Sequence, residues 1–304
     1  MRESGAGELP LEYDYEKYVG HPSNQGLRKF NEAEARFHYQ AHGRAEGRVC
    51  SAIDGRPAFL ALVPPDRALL EIGPFCTPAF RAPAHRVSYL DAFSADELRE
   101  LARSMAWADA TRVPEIDFVW KGEKYRELIG REFELVFSSH NIEHQACLIT
   151  HLEEVASVMR SGGRFMLAIP DKRYCFDHFL PESTIADVLD AFLSGRRDHA
   201  PRSLVQGRMM HTHNDARRHW QGDHGEDPSK RAADEGLVSS VRQIIAEYRA
   251  RTGYLDAHAW QFTPASFRQL LQVLARAGLV SFTVERLYET LSGTNEFYAV
   301  LTKS

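Results

Sequence analysis

The chain predicts an α/β fold: a doubly wound parallel sheet, with a helical extension before it and a helical insertion after its fifth strand. Two observations carry this. From about residue 57, short apolar runs alternate with stretches of helical texture. The runs are RALLEIG (67–73), HRVSYLD (85–91), IDFVW (116–120), FELVFSS (133–139) and GRFMLAIP (163–170). Strand and helix in strict alternation mean βαβ units and a parallel sheet. The second observation is the chain's end, where VSFTVERLYE (280–289) and NEFYAVLTK (295–303) flank the short turn Ser292-Gly293-Thr294 and so read as an antiparallel hairpin.

The elements follow in order. Residues 12–49 are polar and helical, with a rough apolar stripe at Phe30, Ala33, Phe37 and Tyr39-Gln40-Ala41, and Gly43 and Gly47 as terminators. The connecting helices of the core are SADELRELARSMA (94–106), GEKYRELIG (122–130) and HLEEVASVMRSGG (151–163). In the last of these, Gly162-Gly163 suits a helix C-cap. Residues 176–254 break the alternation: they are rich in His, Arg and Asp, mostly helical, and without a clear strand. A further helix opens at Thr263-Pro264, with Pro264 in its first turn. The expected division is an extension at 1–56, a core at 57–175, an insertion at 176–254 and the rest of the core at 255–304.

Composition narrows the function. The net charge is −5 and no long basic run exists, which disfavours a general nucleic-acid binder. No apolar run approaches the ~18 residues of a membrane span. The start, MRESGAGELPLEYDYEKY, is polar and acidic rather than a signal peptide, so a cytoplasmic protein is expected. Cys50, Cys76, Cys147 and Cys175 lie far apart with no CxxC pair, which argues against a disulfide framework or a zinc-thiolate site. Five histidines fall between His199 and His224, a crowding that needs a reason.

One feature of the first strand points to a ligand. It ends on Glu71-Ile72-Gly73 and then turns through Pro74 and Phe75; the second strand ends on Asp91. In open α/β sheets, ligands bind beyond the carboxyl ends of strands. Pro74 and Phe75 stand where a nicotinamide site would need its later glycines, which speaks against a dinucleotide enzyme.

Five strand-helix units closed by a hairpin resemble the class I S-adenosylmethionine-dependent methyltransferases, whose Rossmann-like sheet has seven strands with the last inserted antiparallel. Glu71-Ile72-Gly73 resembles that family's first motif. Asp91 stands 20 residues after Glu71, where the family's second acid binds ribose hydroxyls. FELVFSSHNIEH resembles the fourth motif, and VMRSGGRFMLAIPDK the approach to the fifth strand. The resemblance covers roughly residues 65–175 and 260–303. It implies S-adenosyl-L-methionine as cofactor. Glu71 would then orient its methionine end, Gly73 would allow backbone approach, and Pro74 and Phe75 would stiffen the wall. Asp91 would grip the ribose, Trp120 and Lys121 would lie near adenine, and Ser139 and His140 would stand beside the bound cofactor. Trp120 reads equally well as a core residue.

SSHNIEH carries His140, Glu143 and His144. A helix starting near His140 would put all three on one face. A similar E-x-x-E-H pattern occurs in some metal-dependent members of the resembled family; here His140 replaces the first Glu, which would favour Mn²⁺, Fe²⁺ or Zn²⁺ over Mg²⁺. A structural role for this face stays open. MMHTHNDARRHWQGDHGED (209–227) supplies further candidates, among them His211 as a catalytic histidine and His213 as a metal ligand. IPDKRYCFDHFLPES (169–183) follows the fifth strand and carries Asp171 and His178, both candidate catalytic groups. It and residues 38–48 also resemble segments of methyltransferases that accompany bacterial glycan synthesis. A hydroxyl acceptor must lose a proton, to a neutral His or with help from a metal. The expectation is an O-methyltransferase acting on a saccharide or other small hydroxylated molecule. The alternatives are an RNA 2′-O-methyltransferase and a non-catalytic partner that binds the cofactor.

Overall fold

A computed structural model describes residues 9–10, 12–232, 234–250 and 255–304. The N-terminal part carries α1 (Tyr15–Gly20), α2 (Glu32–His38) and α3 (Arg56–Leu60). The core then runs β1 (Ala68–Ile72), β2 (Arg86–Asp91), α4 (Ala95–Arg103), β3 (Phe118–Val119), α5 (Tyr125–Ile129), β4 (Phe133–Ser139), α6 (Leu148–Ser157) and β5 (Met159–Pro170). Helices α7 (Ile185–Leu193), α8 (Pro201–Met209), α9 (Ala216–Trp220) and α10 (Glu235–Ala250) form the insertion. The chain closes with α11 (Pro264–Arg276), β6 (Phe282–Tyr288) and β7 (Glu296–Lys303).

The seven strands make one sheet in the order β3-β2-β1-β4-β5-β7-β6. Strand β7 runs antiparallel to both β5 and β6, while β1 to β5 pair in parallel. The expected α/β sheet with a C-terminal antiparallel hairpin is therefore present. Side-chain alternation explains why it buries both faces. On β5, Phe165, Leu167 and Ile169 enter one core and Met166 and Ala168 the other. On β7, Phe297, Ala299 and Leu301 share the first core, and Tyr298 and Val300 the second.

Capping sets the helix starts. Ser94 and Glu97 close a reciprocal box at α4, and Thr263 and Ser266 do the same at α11, with Pro264 in the first turn. Helix α11 buries Phe267, Leu270, Leu271 and Leu274, the three- and four-residue spacing of one face. Helix α7 sends Val188 and Ala191 into the same core as Leu148 and Leu152, so the insertion begins as part of the main body. The N-terminal segment packs its own cluster around Tyr18 and Tyr39. Among the described residues, no helix is long and apolar enough to cross a membrane.

Two local expectations are corrected. Gly162-Gly163 does not cap a helix: α6 stops at Ser157, and both glycines lie inside β5. Met159 already pairs with Phe133, and the register shifts before Leu135 meets Arg164. Gly162 takes up the shift at φ +74°, and a Cβ on Gly163 would sit 2.8 Å from the Arg160 carbonyl oxygen. The second correction concerns residues 140–144. No helix starts at His140, which has φ +47°; a single 3₁₀ turn spans Ile142–His144 instead. The His140 amide still donates to the Ala168 carbonyl (2.9 Å), so sheet bonding carries one residue past β4 before the chain turns.

Candidate active site at the carboxyl edge of the sheet

The carboxyl ends of β1, β2, β4 and β5 face one edge, and β7 begins there because Glu296 pairs with Pro170. At β1 the Gly73 amide donates to the Leu90 carbonyl (2.9 Å), tying the start of the loop to β2. Gly73 has φ +69°, and a Cβ there would lie 2.5 Å from Asn141 Nδ2. Glycine is thus required both for the turn and for the approach of Asn141. Phe75, also at positive φ, packs edge-on against Trp107. Pro74 is buried behind it.

Glu71 accepts the Ala79 and Phe80 amides on its two oxygens (2.7 and 3.1 Å), so the side chain organises the loop beneath the edge. Burial pushes its carboxyl up to about 7, against the pull of those two amides. Asp91 remains half-buried at the end of β2, with one oxygen on the Phe93 amide (3.1 Å). Burial raises it to about 6; the Phe93 and Ala92 amides and Lys121 oppose the rise. Lys121 reaches the Ala92 carbonyl (3.0 Å) and Glu97. Trp120 donates to the Glu123 carbonyl (2.6 Å) and stands edge-on to Tyr125, partly packed on the core.

The other half of the edge is charged. Arg56 bridges Ser139 Oγ (2.8 Å) and Glu296 (2.7 Å). Glu296 also lies 3.1 Å from His140 Nε2. A carboxylate only accepts, so Nε2 carries the proton and the lone pair falls on Nδ1, 3.9 Å from Glu143. His140 is 40% exposed and Glu143 is fully buried. Glu143 is held through its backbone: its carbonyl accepts the Ala259 and Trp260 amides (2.7 and 3.1 Å), and Trp260 Nε1 donates to the Gln145 carbonyl (2.6 Å).

Those bonds bring His258 beside Glu143, with Nε2 at 3.9 Å; His144 Nε2 lies at 3.6 Å. His258 Nδ1 donates to Asp177 (2.6 Å), which is itself buried, and His144 Nδ1 to the more exposed Asp256 (2.8 Å). Burial depresses His144, but the Asp256 hydrogen bond and the charge of Glu143 overcome it and raise the imidazole to about 9. Asp177 is likewise opposed by burial, yet the His211 and His258 contacts hold it down at about 2. His211 Nε2 approaches Asp177 at 3.3 Å, so the insertion reaches this site.

The remaining expected residues lie elsewhere. Asp171 is fully buried in a bidentate ion pair with Arg173 and accepts the Thr290 hydroxyl (2.6 Å), which leaves it a structural anchor. His178 donates from Nδ1 to the Arg173 carbonyl (2.7 Å) and stacks on His224 at 3.7 Å. His213 does not join Glu143: Nε2 bonds the Asp223 carbonyl (3.0 Å) and Nδ1 accepts the Asp215 amide (3.2 Å). Both nitrogens serve its own loop. His258, absent from the expected set, occupies the place foreseen for it. Its only sequence signal is a histidine shortly before the capped helix α11.

A groove of ≈ 860 Å³ opens at the opposite edge, near the start of β4 and β5. Most of its charges pair with one another, Arg67 and Arg160 with Glu134 and Arg164 with Glu285.

No family model matches the chain, and no curated protein matches it. Solved structures do. The CcbJ methyltransferase from Streptomyces caelestis aligns at 11% identity over 81% of this chain and 87% of its own, with a TM-score of 0.38. A protein described as a Zn-dependent alcohol dehydrogenase from Rhodobacter sphaeroides aligns at 15% identity over 81% and 88%, with a TM-score of 0.42. The 1,6-didemethyltoxoflavin-N1-methyltransferase from Burkholderia thailandensis, solved with its substrate and S-adenosylhomocysteine, aligns at 14% identity over 82% and 77%, with a TM-score of 0.37. Likenesses this distant transfer no activity, and the fold is fixed by the sheet itself. The strand order, with β7 alone reversed, gives the chain the Rossmann-like fold of the class I S-adenosylmethionine-dependent methyltransferases.

Proposed function

We propose that the protein is an S-adenosylmethionine-dependent O-methyltransferase acting on a small hydroxylated molecule. The observation that carries this reading is the pairing of two features at one edge. Asp91 closes β2 beside the Gly73 turn, and His140, backed by Glu296, closes β4. The first feature suits a nucleoside and the second suits removal of a hydroxyl proton.

The residues at β1 and β2 fit the cofactor. Asp91 ends β2 half-buried, with one oxygen on the Phe93 amide, a position suited to accepting ribose hydroxyls beyond the strand end. Gly73, Pro74 and Phe75 form the wall beside it. Glu71 acts one step back, holding residues 79 and 80 so that the loop keeps its shape. The bound cofactor supplies an electrophilic methyl group. The chain must align the acceptor, exclude water and take up the hydroxyl proton. His140 Nδ1 is the proton acceptor in this reading, and Glu296 stabilises the imidazolium that results. The insertion, through Phe176 and His211, provides part of the acceptor's surroundings; these two rings lie 4.3 Å apart. A saccharide hydroxyl fits this chemistry, as does any small hydroxylated molecule. The division into core and insertion belongs to the same reading.

The test is calorimetry with S-adenosylhomocysteine, followed by transfer of labelled methyl to a panel of hydroxylated acceptors. Folded protein that binds no S-adenosylhomocysteine would sink the proposal. Binding without any transfer would favour a non-catalytic cofactor-binding partner.

A further inference from the structure

Glu143 poses a problem that the methyl-transfer reading does not use. It is completely buried, and among the described residues neither of its side-chain oxygens accepts a hydrogen bond. A buried carboxylate with no partner is costly, and a native site that keeps one calls for a missing positive charge. The surrounding groups have the right form. His144 and His258 each commit Nδ1 to a carboxylate, Asp256 and Asp177, which leaves both Nε2 atoms turned toward Glu143. An imidazole held through its far nitrogen by a carboxylate is the usual arrangement of a metal-bound histidine. Neither ring nitrogen is within hydrogen-bond distance of the carboxylate, at 3.6 and 3.9 Å, and a cation held between the three groups would bond all of them.

Distance and orientation agree. Ligand atoms about 2.0–2.1 Å from one tetrahedral ion lie about 3.3 Å apart. The nitrogen-to-oxygen separations here are 3.6 and 3.9 Å, so closure needs shifts of a few tenths of an ångström. One ligand atom from each of Glu143, His144 and His258 lies within 4.8 Å of the others, and the two rings stand at 87° instead of stacking. The second histidine group, His178, His219 and His224, fails this criterion. Its rings are stacked, at 12° between His178 and His224 and 18° between His178 and His219, so their lone pairs lie in parallel planes.

We propose that Glu143, His144 and His258 bind one divalent transition-metal cation, with Asp177 and Asp256 as positioning residues. Two imidazoles and a carboxylate favour Mn²⁺, Fe²⁺, Co²⁺ or Zn²⁺ over Mg²⁺. Three protein ligands leave positions for oxygen atoms. His140 Nδ1 lies 3.9 Å from Glu143, so a hydroxyl on the metal would sit near that base. This last assignment, a hydroxylated acceptor as metal ligand, rests on the methyl-transfer reading; metal binding itself does not.

The experiment uses the full chain, stripped with a chelator and titrated with Co²⁺, read by visible absorption. The expected result is one tightly held equivalent with a nitrogen–oxygen ligand-field spectrum. His258→Ala and Glu143→Gln should remove that equivalent, and Asp177→Asn should weaken it about 10–100-fold. His219→Ala should leave it unchanged. Circular dichroism establishes that each variant is folded; Asp256→Asn, at a more exposed position, provides the comparison if His258→Ala is not. The proposal is overturned if folded wild type takes up no Co²⁺ at micromolar concentration, or if His219→Ala rather than His258→Ala abolishes uptake. S-adenosylhomocysteine calorimetry on the same metal-free sample separates the two readings. Cofactor binding without Co²⁺ uptake sinks the metal site alone, and Co²⁺ uptake without cofactor binding sinks methyl transfer alone.

Discussion

Glu71, near the end of β1, and Glu143, in the turn after β4, are both buried carboxylates, and their fates are opposite. Glu71 commits both oxygens to amides of its own loop. Among the described residues Glu143 commits neither, and three imidazoles stand within 4.0 Å of it. On the β1 side the loop after the strand is therefore shaped from within. The β4–β5 half is left with unsatisfied charge, supplied by segments far apart in the chain. A satisfied buried charge holds structure; an unsatisfied one holds a place for something else.

The contrast can be broken most sharply at His140. If the β4 half does the chemistry, His140→Ala should lower turnover about 10²–10⁴-fold with little change in cofactor affinity. Steady-state kinetics beside calorimetry would measure both, and unchanged turnover removes the base from the mechanism.

Glu71 gives the next largest effect, on stability instead. Glu71→Ala strands the Ala79 and Phe80 amides in a buried loop, which should cost about 2–4 kcal/mol. Denaturant unfolding measures it, and a loss below about 0.5 kcal/mol would mean that the loop does not depend on this side chain. The pH dependence carries its own sign. The folded carboxyl, at about 7, binds its proton more tightly than the unfolded one at its ordinary 4.5. Its contribution to stability is full at low pH and is lost as pH rises through about 7. Glu71→Gln should remove that decline.

The β4 half should respond to metal where the β1 half does not. A cation at about 100 times its dissociation constant stabilises the folded state by about 2.7 kcal/mol. Thermal melts with and without Co²⁺ should show this gain in wild type and in Glu71→Gln, and lose it in His258→Ala. An equal gain in all three would place the cation elsewhere.

Asp91 gives the smallest effect. Asp91→Asn should weaken S-adenosylhomocysteine binding by about 1.5 kcal/mol, the low end for a hydrogen bond to a charged group. Because the carboxylate is the acceptor, wild-type affinity should be flat above pH 7 and fall as pH drops through about 6, where Asp91 takes its proton. The variant should show no such fall; a wild type without one would take Asp91 out of the cofactor site.

Much of this edge is legible in the amino-acid sequence alone. Short apolar runs mark β1, β2, β4 and both strands of the hairpin to within a residue or two, because burial on both faces of a sheet writes itself into consecutive residues. Gly73 and Asp91 fall at strand ends for the same reason. Thr263-Pro264 announces α11 because capping depends only on near neighbours in the chain. Gly162-Gly163 misleads because a glycine pair suits a helix end and a strand irregularity equally well.

What the sequence by itself determined, then, was whatever short-range patterning controls: the strands, the capped helices, and the carboxylates and histidines that follow β1, β2 and β4. Only the tertiary structure decided where those side chains direct their hydrogen bonds. Glu71 turned inward because the loop through Phe80 folds back over it. His213 was claimed by its own loop, while His258, 115 residues from Glu143, was carried in by the Ala259 and Trp260 amides on the Glu143 carbonyl. Chain separation carries no information about such meetings. They follow from the closure of the whole sheet, which brings the end of β4, the segment after β5 and the approach to α11 to one edge.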